Sequence, residues 1–180
     1  MRADPVADTA PSRLELIAIL RHAYSGERAA GYAYSGHWKS VSDPEERARI
    51  RQIEDEEWHH RKLVGEMLQS LDAAPSAWLE TRATIIGRTL GFLCRVSPWF
   101  PPMYGAGRLE SHNIGEYEDA ARHARACGRT ELVECLLTMA EVEWDHEAYF
   151  REKSASSGWS KLIPLWPAPP PKASIRAAQP

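Results

Sequence analysis

The chain has 180 residues, of which 43% are hydrophobic, 26% charged and 9% aromatic, a balance that excludes the disordered and collagenous classes. Its 22 basic and 25 acidic side chains leave a formal charge of −3, so there is no basic field to gather nucleic acid. Cys94, Cys127 and Cys135 show no C-x-x-C spacing, which argues against a disulfide framework and a thiolate zinc site and fits a reducing compartment. No uninterrupted apolar run long enough to span a bilayer and no secretory leader is seen, so a cytoplasmic location is expected.

Prolines punctuate the chain. A flexible tail is expected over 1–11, then a helix from about Ser12, as N-cap, to about Ser40. Its apolar face carries Leu16, Leu20, Ala23, Gly31, Tyr34 and Trp38. A second helix starts where Asp43 can cap, Pro44 suits the first turn and Glu46 completes a capping-box pattern; it should reach about Leu71. A third runs from Ser76 to about Val96, a fourth from about Pro102 to Cys127, ended by Gly128, and a fifth from a Thr130 cap to about Lys153.

Nothing alternates with the period of a strand. The expected fold class is all-α, a ferritin-like four-helix bundle over 12–153 with an additional crossover helix between the second and fourth. Residues 154–180 read as a proline-rich tail, with Leu162, Ile163, Leu165 and Trp166 docking and the remainder mobile.

Ionisable residues interrupt the core stripes. The second helix presents Ile50, Ile53, Glu57, His60, Val64, Met67 and Leu71, and the fifth Leu132, Leu136, Met139, Glu143, His146 and Phe150. Each stripe therefore holds a carboxylate and an imidazole one turn apart, the spacing that lets both reach one centre. The first helix centres its stripe on Glu27, and the fourth on Glu110 in Met103, Ala106, Glu110, Asn113 or Ile114, Tyr117, Ala121.

Tyr34 and Tyr117 follow those glutamates by seven residues, on nearly the same face. The plan of Glu with Tyr, then Glu-x-x-His, thus occurs twice. Four buried unpaired carboxylates would each cost several kcal/mol against a net stability of about 5–15 kcal/mol. Two divalent cations would balance four ionised glutamates, and mixed carboxylate and imidazole ligands suit iron or manganese.

Other ionisable groups read more plainly. Glu116 competes with Glu110, but only Glu110 shares the face of Met103, Ala106 and Tyr117. Glu54, Glu56, His59, Glu141 and Asp145 lie off the stripes, as surface groups or supports of the ligands. His22, His37, His112 and His123 have no partner motif and read as surface or satisfied polar groups. For Tyr34 and Tyr117, core aromatics bonded to carboxylates are favoured over a redox role.

One glutamate from each of two helices plus Glu-x-x-His from the other two is the ligand set of ferritin-like di-iron and di-manganese proteins. Within that class the chain resembles the demethoxyubiquinone hydroxylases, di-iron monooxygenases of ubiquinone biosynthesis. The resemblance lies in Ser25-Gly26-Glu27, Tyr34-Ser35-Gly36, the segment Glu110 to Tyr117 (Glu-Ser-His-Asn-Ile-Gly-Glu-Tyr) and both Glu-x-x-His pairs, and it spans roughly Leu16 to Lys153. Ala23-Tyr24 stands where the family shows Asp-His, Arg28 follows Glu27 in place of tyrosine, and the crossover is proline-rich.

The resemblance implies two iron ions, with manganese as the alternative, held by Glu27, Glu57, His60, Glu110, Glu143 and His146. The Glu-x-x-His carboxylates would bridge, and Glu27 and Glu110 would be terminal. It implies activation of O2 to hydroxylate a small hydrophobic or aromatic, quinone-like substrate, with electrons from a reductase or NADH. Tyr34 and Tyr117 join the four glutamates as candidate catalytic residues.

Ile85, Ile86, Leu90, Phe92, Leu93, Trp99 and Phe100 beside Arg88 and Arg95 suit peripheral contact with the inner face of a membrane; a crossover helix packed on the bundle explains them equally. A homodimer is compatible with the sequence. The rival readings are a rubrerythrin-like peroxidase, a manganese catalase, and a non-catalytic metal-buffering or lipid-binding bundle.

Overall fold

The computed structural model describes residues 9–177; most of the expected N-terminal tail lies outside them. Five long helices follow one another: α1 (Ala10–Ser40), α2 (Pro44–Ser70), α3 (Ala77–Val96), α4 (Phe100–Ala126) and α5 (Val133–Ser156), with a short α6 (Ala173–Ala177) near the end. No strand occurs among the described residues. The expected all-α bundle with a crossover helix is what forms.

Local chemistry sets most boundaries. Asp43 Oδ1 accepts from the backbone N–H groups of Glu45 and Glu46 at 3.0 and 2.9 Å, with Pro44 in the first turn. Ser76 accepts from Leu79 N–H at the start of α3. Gly128 takes φ +76°, letting Arg129 N–H close on Ala124 C=O at 2.8 Å and stop α4.

Two expected caps are absent. The helix α1 begins at Ala10, ahead of Ser12, because Pro11 sits where its missing N–H costs nothing. Residues Thr130–Leu132 form a 3-10 turn, and α5 begins only at Val133.

The bundle is built from α1, α2, α4 and α5, while α3 packs along α1. Its interior divides into two apolar clusters. One joins Leu16 and Leu20 to Val64, Leu68, Ala121 and Leu136; the other joins Tyr34 to Ile50, Ile53, Met103 and Phe150. In sequence, Glu27, Glu57, His60, Glu110, Glu143 and His146 fall between the members of the two clusters on their own helices, so the ionisable layer is sandwiched by hydrocarbon.

The α1–α3 contact brings backbones together. An added Cβ on Gly36 would lie 1.9 Å from the Gly91 carbonyl oxygen. In an open helix Gly→Ala gains about 1 kcal/mol, but this neighbour is backbone and cannot swing aside. Gly36→Ala is therefore expected to lower stability, by about 1–3 kcal/mol on overpacking precedent, read as a lower urea midpoint. Glu80 of α3 adds a polar clasp, accepting from Ser25 and Arg28 of α1 and from Arg61 of α2.

The C-terminal segment is more tightly held than expected. Trp166 is buried, donates Nε1–H to Glu147 at 2.6 Å and stands edge-on to Tyr104. Ile175 enters the first apolar cluster, and Arg176 pairs with Glu134 and Glu141 of α5. Leu162 and Ile163, expected to dock, are instead exposed, and Leu165 is only partly buried. Among alanines and prolines a single apolar residue such as Ile175 has no periodicity to announce its burial.

Candidate metal centre

Each ligand-type side chain reaches the interior because its helix turns an otherwise apolar stripe inward. Glu57, Glu110, Glu143 and His146 are fully buried, and Glu27 and His60 nearly so. They form two groups: Glu27, Glu57, His60 and Glu143, and Glu57, Glu110, Glu143 and His146. Within each, one potential ligand atom per residue lies within 4.8 Å of every other. Glu57 and Glu143 belong to both, the positions expected of bridging carboxylates, while Glu27 and Glu110 each belong to one. Glu116 joins neither group; burial and the charges of Glu27, Glu143 and Asp119 push its carboxyl up to about 7.

The imidazoles face the layer through Nδ1. His60 Nδ1 is 2.9 Å from Glu143 Oε1 and 3.9 Å from Glu27 Oε1. His146 Nδ1 is 3.3 Å from Glu57 Oε1 and 3.7 Å from Glu143 Oε2. The far side of His146 is held by Glu56, whose Oε2 is 2.7 Å from Nε2, so this off-stripe carboxylate fixes the ring orientation of a candidate ligand.

The two tyrosines bond reciprocally across the bundle. Tyr34 of α1 donates to Glu110 of α4, and Tyr117 of α4 donates to Glu27 of α1. Burial and the neighbouring carboxylates raise both phenols well above their ordinary range, keeping them protonated as donors. Asn113 donates to Glu110 Oε2 at 2.9 Å and reaches Glu143 Oε2 at 3.4 Å, a contact that the choice between Asn113 and Ile114 left open.

The layer is electrostatically unfinished. Both oxygens of Glu57, Oε2 of Glu27 and Nδ1 of His146 are buried without a hydrogen-bond partner. Burial, reinforced by neighbouring carboxylates, raises the pKa of Glu57 and Glu110 well above the usual range and raises that of Glu27. Burial opposes ionisation of Glu143 too, yet the imidazoles of His146 and His60 beside it hold it well below that range.

Burial also opposes the imidazolium form of both histidines, but contacts with Glu143, and at His146 with Glu56 and Glu57, raise both. Orphaned carboxylate oxygens and an orphaned imidazole nitrogen facing one space form a hard, mixed oxygen and nitrogen donor set. The residues fit a pair of divalent ions.

His37 departs from expectation. It is 98% buried by its 2% exposure, and its Nε2 has no partner, so it is neither a surface nor a satisfied polar group. Trp38, placed on the stripe from sequence, is only partly buried. The inward face of α1 continues from Tyr34 by a step of three, not four; only the neighbouring aromatics Tyr34 and Phe150, which stack with His37, reveal that choice.

Beside the layer lies a cavity of about 370 Å³ between α1, α3 and α4, lined among others by Tyr34, His37, Leu90, Leu93 and Leu109. Those three leucines are also exposed at the surface, where α3 continues the apolar display with Ile85, Phe92 and Val96. Among the described residues no helix is long and apolar enough to cross a membrane. The cysteines are free and partly buried.

Four bundle helices that turn two lone glutamates and two Glu-x-x-His pairs into one buried layer define a protein of the ferritin-like class. More particularly, residues 15–97 match the family model described as ubiquinone biosynthesis protein COQ7. That span holds Glu27, Glu57 and His60, while Glu110, Glu143 and His146 lie beyond it. No curated protein and no solved structure gives a match.

Proposed function

We propose that this chain is a di-iron monooxygenase that hydroxylates a hydrophobic aromatic, quinone-like compound. The observation that carries the reading is the pair of overlapping buried clusters that share Glu57 and Glu143, supported by the similarity of residues 15–97 to a ubiquinone biosynthesis family. Glu27, Glu57, His60 and Glu143 would hold one ion, and Glu57, Glu110, Glu143 and His146 the other. Bound iron supplies reduction of O2 and insertion of one oxygen atom into a C–H bond, with two electrons from a reductase or NADH.

The chain's own contribution is placement and dryness. Four carboxylates balance the charge of two divalent ions. Tyr117 and Tyr34 hold the terminal carboxylates, and Glu56 holds His146 so that its Nδ1 faces the layer. The apolar clusters on either side keep water from the reacting atoms. The cavity beside Tyr34 admits substrate from the exposed apolar face of α3, which, with Arg82, Arg88 and Arg95 around it, lies on an anionic membrane surface.

Loading the protein anaerobically with ferrous ion, adding a quinone precursor and admitting oxygen should consume O2 in a substrate-dependent way. Mass spectrometry should then find one added oxygen atom, absent with Glu143→Ala. Peroxide consumption without substrate would replace the reading by a peroxidase or catalase, and neither activity would leave a passive metal-holding bundle.

Removing one support tests the layer separately. Tyr117→Phe leaves Glu27 without its phenolic donor while keeping the aromatic packing. It should weaken metal affinity by about 10–100-fold without loss of helicity, as measured by competition with a chelator.

A further inference from the structure

Two contacts of one side chain lead back to the carboxylate layer. Trp166, in the C-terminal segment, donates its indole Nε1–H to Oε1 of Glu147 at 2.6 Å, and the buried Glu147 directly follows His146 on α5. The indole and Phe150 also lie side by side over Gly107 of α4. An added Cβ there would be 2.4 Å from the indole and 2.8 Å from Phe150 Cβ. Phe150 in turn stacks on Tyr34 with ring centroids 5.8 Å apart, and Tyr34 donates to Glu110.

Trp166 therefore braces His146 by one route and Glu110 by the other. These two residues belong to the cluster of Glu57, Glu110, Glu143 and His146 and not to its neighbour. Glu27 and His60, which belong to the other cluster alone, are held instead by Tyr117 and Glu143.

The brace is itself locked in place. Arg151 pairs with Glu147 at 2.6 Å, donates to the backbone carbonyls of Trp166 and Pro167 at 3.2 and 3.0 Å, and lies over the indole. Trp144 donates to Pro170 C=O at 2.9 Å, and Lys172 pairs with Asp145. Prolines offer no N–H, so the segment is gripped through its carbonyls. Residues 144, 145, 147 and 151 of α5 thus hold it while Glu143 and His146 turn inward. A helix held this way on its outer face cannot rotate about its axis without breaking those bonds, and outer supports of this kind decide how well a ligand meets its ion.

We propose that Trp166 is a positioning residue for the ion held by Glu57, Glu110, Glu143 and His146, acting on His146 through Glu147 and on Glu110 through Phe150 and Tyr34. The inference rests on the reading of the layer as a two-ion centre, whatever reaction occurs there. It adds that the C-terminal segment fixes one ion and not the other.

The test titrates the full chain with manganous ion alone, by calorimetry, without oxygen or substrate. His60→Ala leaves the cluster of His146 intact, and His146→Ala leaves that of His60. Trp166→Phe keeps an aromatic ring but removes the donor to Glu147. It should weaken manganese binding to the His60→Ala protein by about two- to thirtyfold and leave binding to the His146→Ala protein unchanged. Gly107→Ala, which displaces the indole, should show the same selectivity, and Glu147→Gln, which keeps an acceptor for it, should preserve the affinity.

A merely structural part of the same segment should behave differently. Ile175→Ala, in the first apolar cluster, should lower the urea midpoint and leave both affinities alone. Equal weakening by Trp166→Phe in the two backgrounds, or weakening in neither, overturns the proposal. Should the single-ion proteins not bind, the decision falls to the two steps of the wild-type titration, of which Trp166→Phe should shift one. A wild type that binds no manganese sinks the two-ion reading and this inference together. An absence of oxygenase activity sinks the proposed reaction and leaves this result standing.

Discussion

Replacing Glu57 by methionine is expected to stabilise the metal-free protein while abolishing its capacity for a metal pair. Both Glu57 oxygens are buried and neither makes a well-formed hydrogen bond, the nearest partner being His146 Nδ1 at 3.3 Å, so desolvation of the carboxyl outweighs what its contacts return. Methionine has similar reach and adapts to irregular interiors. The gain should be about 1–4 kcal/mol, the range seen when buried polar groups give way to packed apolar ones.

Glu143, its counterpart in the second Glu-x-x-His, should behave oppositely. It accepts from His60 at 2.9 Å and neighbours His146. Glu143→Met takes the hydrogen-bonded carboxylate from buried His60 and one of the carboxylates beside His146, and should cost about 3–5 kcal/mol. Urea unfolding in the presence of a chelator reads both, and metal analysis of loaded protein should show neither variant retaining two ions. Equal destabilisation by the two substitutions would mean that Glu57 is not the orphaned group the geometry makes it.

The metal-free protein should be most stable near pH 4.5 and should lose stability as pH rises, the reverse of its metal-loaded form. Glu27, Glu57 and Glu110 have folded pKa values raised above their ordinary value of 4.5, and His60 and His146 above 6.5. A group whose pKa is raised by folding contributes fully below its unfolded pKa, and that contribution is lost as pH climbs through the folded value. All five therefore act in the same direction, the carboxyls from pH 4.5 upward and the imidazoles from pH 6.5 upward.

Glu143 and Glu56 are lowered, Glu56 to about 2 because, against its partial burial, His146 binds it. Their contribution is present above pH 4.5 and lost as pH falls toward their folded values, which places the optimum between the two sets. Each raised group adds a slope of at most about 1.4 kcal/mol per pH unit. Divalent ions displace these protons, so metal loading should release protons and gain affinity with pH. Thermal melts at pH 5 and pH 8, with chelator and with ferrous or manganous salt, check both arms; a metal-free melting temperature higher at pH 8 than at pH 5 would contradict the proton-filled layer.

Much of the centre is legible in the sequence because it is written in periodicity. A helix shows one face every three or four residues, so a glutamate or histidine standing between leucines is buried by its neighbours whatever the partner helices are. That logic identified Glu57 with His60, Glu143 with His146, Glu27, and Glu110 over Glu116, and the caps at Asp43 and Ser76 followed from side chains a few residues from the groups they satisfy. It also made Tyr34 and Tyr117 partners of carboxylates, since a step of seven returns to the same face.

What periodicity leaves open is where one stripe meets another. Sequence by itself determined the five long helices, most of their inward faces and the ionisable types those faces carry. Only the tertiary structure decided that each tyrosine serves the glutamate of the opposite helix, that Glu56 reaches around to His146, and that α1 turns His37 rather than Trp38 inward. It also decided that Ile175 docks while Leu162 stays exposed. These choices depend on contacts between residues far apart in the chain, on the order of 90 positions for Glu56 and His146. Burial in such contacts is a property of the assembled interior, to which local spacing makes no reference.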